Sequence, residues 1–388
     1  MADPTHGRVV VTGMLFGYPL AGIVYQILHY LIGLRRLGYD PYYIEDSSRW
    51  VFDVQTREIT DDVAGNVATV APVLARHGFP GQWACRNIRS GAWHGLGDVA
   101  VRELYRSADA LLNISGAQEI TDEHRALPRR IYVETDPFSY QVDVATGFRR
   151  TVALLAAHDT HFTFGENIGA SDCSVPVARF DWRPTRQPVV RELWSGPRSG
   201  RGASYTTITT WRSDNKDRVW DGETYYWTKG REFLRFAELP RRHRASFELA
   251  VDEHEDARKA LDGRGWRVTS ARALTADPDR YRSYIQRSRG EFTVARDQYV
   301  RPRTGWFSDR SACYLAAGVP VVTEDTGFGK VLPTGKGLYA FTTLDDALAA
   351  IDAIEADPEG NRRAASEIAA EYFAAERVVG NMMARAGL

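Results

Sequence analysis

Short apolar runs rich in valine and isoleucine alternate along most of this chain with stretches whose apolar residues recur every three or four positions. The first run, residues 8–12 (Arg-Val-Val-Val-Thr), ends at Gly13. After a loop containing Gly13, Gly17 and Gly22, residues 23–37 place Ile23, Ile27, Leu28, Leu31 and Leu34 at helical spacing, and Gly38 closes the helix. Tyr42-Tyr43-Ile44 then forms a second strand ending in Glu45-Asp46. Strand, glycine loop, helix and strand in that order make a βαβ unit. Further strands are expected at 110–114, 130–133 and 161–164, each followed by a polar or glycine-bearing loop.

The alternation breaks over residues 182–198, where Pro184, Pro188 and Pro197 interrupt any period. It resumes with strands at 205–210, 245–251 and 266–270 and helices near 229–238, 253–262 and 278–289. Next come the stretch 304–329, a strand at 338–341, a helix at 344–356 and an amphipathic tail over 360–385. Two βα halves separated by a proline-bearing linker predict an α/β protein with two Rossmann-like domains facing a central cleft. The expected boundaries are 1–185, a linker at 186–198, a second domain at 199–365, and a helix at 366–388 that crosses back to the first.

Composition narrows the partners. At 388 residues the chain is longer than a typical single core. A net charge of −1 offers no basic surface to nucleic acid or an anionic membrane. No uncharged apolar run reaches the roughly 18–20 residues of a membrane span. The three cysteines, Cys85, Cys173 and Cys313, show neither a CxxC pair nor metal-ligand spacing, as expected of reduced thiols in a cytoplasmic protein. The first residues contain Asp3 and Pro4 and no apolar core, so no signal peptide is expected.

The densest chemistry lies in residues 304–329, TGWFSDRSACYLAAGVPVVTEDTGFG. A turn, a short helix, a Gly-Val-Pro turn and a buried strand put Ser308, Asp309, Arg310 and Ser311 at a helix start. The same order puts Glu324, Asp325, Thr326 and Gly327 just after a strand. Both clusters then share the rim of a parallel sheet, where ligands bind and where helix N-termini favour anions. A phosphate-bearing ligand fits. The first glycine loop is a second candidate, with Gly13 and Gly17 letting backbone amides approach a sugar or phosphate. Its spacing, GxxxGxxxxG, is not the GxGxxG of dinucleotide enzymes, which disfavours a dehydrogenase.

Ala-Ala-Gly-Val-Pro-Val-Val (316–322), with the Ser/Asp/Arg turn before it and Thr323–Phe328 after it, resembles the GT-B superfamily of nucleotide-sugar-dependent glycosyltransferases, closest to bacterial family 1/4-like members. The resemblance implies that the helix start at 308–311 binds the donor diphosphate and that 324–327 contact the donor sugar. It also implies that Arg212 and Lys216, in the loop after the first strand of the second half, meet the donor phosphates. Arg212 suits that role because its planar fork binds phosphate bidentately. Cys313 stands where many members carry a ribose-binding glutamate, and Gly305 where others carry an acid or a histidine; Asp309 is the substitute candidate for ribose.

The resemblance implies a metal-independent reaction with no cofactor, the nucleoside diphosphate sugar being the donor substrate. Asp277-Pro278-Asp279 reads as a helix cap rather than a metal motif, and Asp252–Asp256 as an exposed helix start. Transfer needs a group to take the acceptor proton. Asp136, in Glu134-Thr135-Asp136-Pro137, is the first candidate, with His158, Asp159, His161 and Glu166 in reserve. The expected function is transfer of a sugar to a small-molecule acceptor, natural products included, with no nucleic-acid or membrane partner. A GT-B nucleotide-sugar epimerase and a catalytically silent GT-B partner protein remain open alternatives. Stereochemistry and oligomeric state are not fixed by the sequence.

Overall fold

The computed structural model describes residues 6–47, 50–196, 202, 204–213, 216–252 and 254–388. Residues 1–5, Pro197 and Arg198 of the linker, Asp214 and Asn215 of the loop after residue 210, and Glu253 lie outside them. Eight strands form the first sheet: β1 (Arg8–Thr12), β2 (Asp40–Glu45), β3 (Trp83–Arg86), β4 (Trp93–Gly95), β5 (Ala110–Ile114), β6 (Arg130–Glu134), β7 (Thr160–Thr163) and β8 (Trp182–Pro184). Their order is β8-β7-β6-β5-β1-β2-β3-β4, parallel throughout except for β4 against β3. The second sheet contains β9 (Ser204–Thr209), β10 (Ser246–Val251), β11 (Trp266–Ser270), β12 (Gly290–Thr293), β13 (Val321–Glu324) and β14 (Leu338–Phe341). It is wholly parallel in the order β11-β10-β9-β12-β13-β14. Each sheet therefore reverses its direction of growth beside its own first strand, which opens a crevice at the carboxyl ends of the strands.

Five helices carry the contact between the halves: α1 (Ala21–Arg36), α2 (Pro278–Gln286), α3 (Asp309–Ala316), α4 (Pro358–Tyr372) and α5 (Ala375–Arg385). Tyr25 of α1 packs against Trp194 at a ring separation of 4.7 Å, and its hydroxyl donates to Pro278 O at 3.1 Å. Apolar residues of α1, α2, α3 and α5 belong to one continuous core, so burial itself holds the two sheets face to face. The tail is two helices rather than one. The chain breaks at Phe373–Ala374, where Val189 N donates to Phe373 O at 2.7 Å and Ala375 N to Val189 O at 3.0 Å. Beyond that break α5 lies on α1, close enough that a Cβ on Gly33 would sit 3.2 Å from Ala375 Cβ.

Two small ribbons project from this frame, Val51–Phe52 with Ile59–Thr60 and Arg218–Trp220 with Glu223–Tyr225. Neither follows from the hydrophobic pattern, because two- and three-residue strands leave no period to read. No helix among the described residues is long and apolar enough to cross a membrane.

Candidate active site

A cleft of about 320 Å³ runs between the sheets. From the first half it is lined by Met14, Gly22, Gln26, Ser115, Thr135 and Asp136, and from the second by Thr209, Thr210, Asp252, Thr275 and Tyr281. Lys229, Arg296, Trp306 and the helix start Ser308-Asp309-Arg310 complete it. A second cavity of about 230 Å³ shares Ser115, Thr135 and Asp136 with the cleft and continues past Tyr132, Tyr140, Lys216, Arg218 and Trp227. Asp136 therefore stands where two chambers meet.

The route of the chain explains that placement. Asp136 follows β6 and precedes Phe138, whose φ of +91° is a strained value for a residue with a side chain. The turn is held from beneath. Phe138 N donates to Gln141 Oε1 at 2.7 Å, and Gln141 Nε2 and Thr163 Oγ1 donate to Glu134 Oε2 at 2.7 and 2.6 Å. Burial raises Glu134 to about 8, so it is largely a neutral acid at pH 7. Asp136 itself is exposed. Tyr299 reaches over from the second half to donate to its Oδ1 at 2.5 Å, and Asp136 lines both cavities. Trp306 fixes the same junction by donating from Nε1 to Thr135 O at 2.9 Å.

Of the four residues expected at the helix start, Ser308, Asp309 and Arg310 line the cleft and Ser311 lies beneath it. Ser308 is the N-cap of α3, and its hydroxyl makes no capping bond to the helix amides. Asp309 accepts from Arg310 N at 2.8 Å, and burial raises its pKa above the ordinary value. Arg310 lines the cleft with its guanidinium already engaged. Its guanidinium turns into the sheet and donates to Glu291 Oε1 at 2.6 Å, Ile208 O at 2.7 Å and Thr293 Oγ1 at 2.9 Å. Glu291 is fully buried on β12, so Arg310 is committed to neutralising it. Ser311 lies under the first turn of α3, buried and away from the cleft lining.

Four expectations are corrected. Gly13 and Gly17 do not line the cleft. Their loop is clasped by Glu45, which accepts from Phe16 N at 2.8 Å and Gly17 N at 2.7 Å, while Leu15 N donates to Tyr43 Oη. Arg212 is exposed on its loop and lines neither cavity. The 324–327 loop lines neither cavity and acts as a buttress. Glu324 is buried against Arg235, Asp325 pairs with Arg303 and accepts from Gly327 N, and Thr326 Oγ1 donates to Trp306 O at 2.6 Å. Gly327 supplies the left-handed φ of +94° that this turn requires. The run beginning at Asp252 is not merely an exposed helix start, because Asp252 lines the cleft. Lys216 does reach a cavity, the one beyond Asp136, with its ammonium 5.0 Å from the Trp227 ring.

The reserve candidates for proton acceptor are all engaged elsewhere. His158 is buried against Leu154 O and lowered to about 4, chiefly by burial, and His161 bonds Leu155 O. Asp159 pairs with Arg130 and Glu166 with Arg186.

Lys229 was hidden in the sequence within the aromatic stretch 225–231. It is 5% exposed, with its ammonium 5.9 Å from the Trp306 ring. Burial holds its pKa well below the usual lysine range, and the charges of Arg310 and Arg296 add to the effect. A cation held in this state gains most from an incoming anion. Arg296 lines the cleft nearby, stacked 3.9 Å over Trp227 and donating to its carbonyl at 2.5 Å. Among the described residues no three His, Cys, Asp or Glu side chains converge as a metal-binding group.

Residues 231–383 match the family described as glycosyl transferase-like. Over nearly the whole chain the fold is that of solved GT-B glycosyltransferases. The chain has the GT-B fold, and its second half matches a glycosyl transferase-like family. AviGT4, a glycosyltransferase involved in avilamycin A biosynthesis, is 11% identical, with a TM-score of 0.54 over 98% of this chain and 97% of that one. An alpha-glucosyltransferase in complex with UDP and a 13-mer DNA containing an HMU base is 8% identical, with a TM-score of 0.61 over 98% and 100%. Anabaena Alr3699/HepE in complex with UDP and glucose is 12% identical, with a TM-score of 0.55 over 98% and 100%. At these identities the likenesses establish the fold and not the substrates. Comparison with curated protein sequences finds no match.

Proposed function

We propose that this glycosyltransferase moves a sugar from a nucleoside diphosphate to a small-molecule acceptor without a metal ion. The observation that carries the reading is the cleft itself. A helix start, a buried lysine and an arginine stand on the second domain, and an exposed carboxylate stands opposite them on the first. The solved neighbours that hold UDP, UDP and glucose, or UDP-glucose support a nucleotide-sugar donor.

In this reading the diphosphate lies against the start of α3, with Lys229 and the free amides of the first turn as its partners. As the bond from the sugar's anomeric carbon to the diphosphate oxygen breaks, negative charge grows on the leaving group, and these groups are already aimed at it. The acceptor hydroxyl forms the new bond to the same carbon and passes its proton to Asp136 Oδ2. Tyr299 keeps the carboxylate oriented. The acceptor occupies the cavity bounded by Tyr132, Tyr140 and Trp227, whose volume of about 230 Å³ suits one or two sugar rings or an aromatic group. The net charge of −1 and this narrow chamber favour a small acceptor over a nucleic acid.

The test is a thermal-shift panel of UDP, GDP, ADP, CDP, dTDP and NAD in EDTA. A nucleoside diphosphate at a hundred times its Kd adds about 2.7 kcal/mol and raises the melting temperature. Stabilisation by NAD alone, by none of the six, or only after divalent metal is restored would each refute the reading as stated.

A further inference from the structure

Arg57 and Asp252 meet from opposite domains, and Asp252 lines the cleft. Arg57 sits in the turn between Phe52 and Ile59 with a φ of +64°, and Asp252 immediately follows β10. Arg57 Nη2 lies 3.1 Å from Asp252 Oδ2, with the two side chains only 20% and 14% exposed. That contact leaves one atom over on each side. Arg57 Nη1, a donor, and Asp252 Oδ1, an acceptor, are both buried without a hydrogen-bond partner. Orphaned polar atoms of this kind are costly and rare in a folded protein. A hydroxyl group both donates and accepts through one oxygen, so it offers what each of the two atoms lacks.

The sheet order says which part of a donor brings that hydroxyl. Asp252 ends the strand on the β11 side of β9, whereas Arg296 and Trp306 follow β12 on its other side. With the diphosphate at the start of α3 and the sugar beside Asp136, the nucleoside extends toward β10. An acid at the end of the second strand of such a sheet is also where a ribose hydroxyl is read in dinucleotide folds. Cys313, in the position the superfamily pattern gives to a ribose-binding glutamate, is buried and lies 4.0 Å from His29 Nε2, outside the cleft lining.

We propose that Arg57 and Asp252 together bind a ribose hydroxyl of the donor nucleotide, a role that rests on the nucleotide-sugar reading above. Because one partner comes from each domain, the bound ribose also ties the domains together.

Calorimetric titration of UDP, GDP and ADP, each beside its 2′,3′-dideoxy form, tests this with the wild type, Asp252→Ala and Arg57→Met. Thermal melts confirm that both variants fold. The wild type is expected to bind the ribonucleotide it prefers at least about tenfold more tightly than the dideoxy form. Each variant is expected to bind the two forms within about twofold of one another. A wild type indifferent to the hydroxyls overturns the proposal, as does a preference that survives in both variants; either leaves the donor reading intact. Failure of the wild type to bind any of the three diphosphates removes the donor reading, and the ribose site with it.

Discussion

Replacing Lys229 by methionine should move stability and donor affinity in opposite directions. The methionine keeps most of the apolar stem and removes the ammonium. In the free protein that ammonium is buried beside two arginines, and its main neighbour is the Trp306 ring at 5.9 Å. Removing a poorly compensated buried cation should stabilise the free enzyme by on the order of 1 kcal/mol. In a chain of this size that raises the melting temperature by roughly 1–2 °C. A charge-assisted bond from Lys229 to phosphate is worth about 1.5–3 kcal/mol, so the Kd for the nucleoside diphosphate should rise roughly 10- to 150-fold. A bound dianion also raises the lysine pKa back toward its ordinary value. Donor binding by the wild type should therefore take up protons in the alkaline range below 10.5, and less so in the variant. Calorimetry in two buffers of different ionisation enthalpy measures that uptake directly. Unchanged donor affinity in Lys229→Met would show that the phosphates bind elsewhere. A lowered melting temperature would show that the ammonium is structural.

Three further outcomes follow from the site. Asp136→Asn should slow transfer by about 10²- to 10⁴-fold while leaving the nucleotide Kd unchanged, measured by product formation beside calorimetry; equal turnover would remove Asp136 as proton acceptor. Arg310→Met should act on stability first, because it strands the fully buried Glu291, at a cost of about 3–5 kcal/mol seen in denaturant melts. Adding Glu291→Gln should restore part of that loss, and a fully stable single variant would contradict the role assigned to the pair. Burial raises Glu134 to about 8 and Glu45 and Glu324 to about 7, from an ordinary 4.5. The folded chain then keeps protons that the unfolded chain has released, so this stability is full below pH 4.5 and is lost as pH rises through 7–8. His29 and His158, lowered by burial to about 3 and about 4 from 6.5, act in the other direction and cost stability as pH falls below 6.5. With three such carboxyls against two such histidines, these groups put the highest melting temperature near pH 4.5 with a fall up to about pH 8, and Glu134→Gln should flatten that fall.

The architecture was legible because it rests on period. Valine-rich runs and three-to-four spacing located β1, α1, β9, β10 and α3 to within a few residues, and the proline-bearing stretch marked where one alternation ended. Period fails for β3 and β4, which flank a short turn, and for the tail. The break at Phe373–Ala374 comes from a partner, Val189, that lies far away in the chain. Asp136 could be picked out for a similar reason of position, since it ends a strand whose neighbours end at the same rim.

Side-chain direction was not legible, and the direction of Arg310 decides what the helix start can do. A pattern that places an arginine at a helix start beside a cleft does not say whether the guanidinium faces ligand or sheet. The deciding residue was in view: Glu291, in the middle of the buried strand Gly290–Thr293, is an acid that cannot stay unpaired, and the nearest helix start supplies its cation. Glu45 carries the same lesson, since a buried acid at a strand end consumed the amides that the glycine loop would otherwise have offered. The signal for Lys229 was compositional. Five lysines stand among 49 basic residues, and Lys229 is the one of the five that is buried. The pairs that join the domains, Arg57 with Asp252 and Tyr299 with Asp136, are separated in the chain by 195 and 163 residues. Each joins residues whose own neighbours in sequence say nothing of the other. They come together only after both sheets have formed and the shared core of α1, α2, α3 and α5 has set the gap between them. The chemistry of this site is therefore a property of domain packing, and substitutions in that core should alter catalysis before they unfold either sheet.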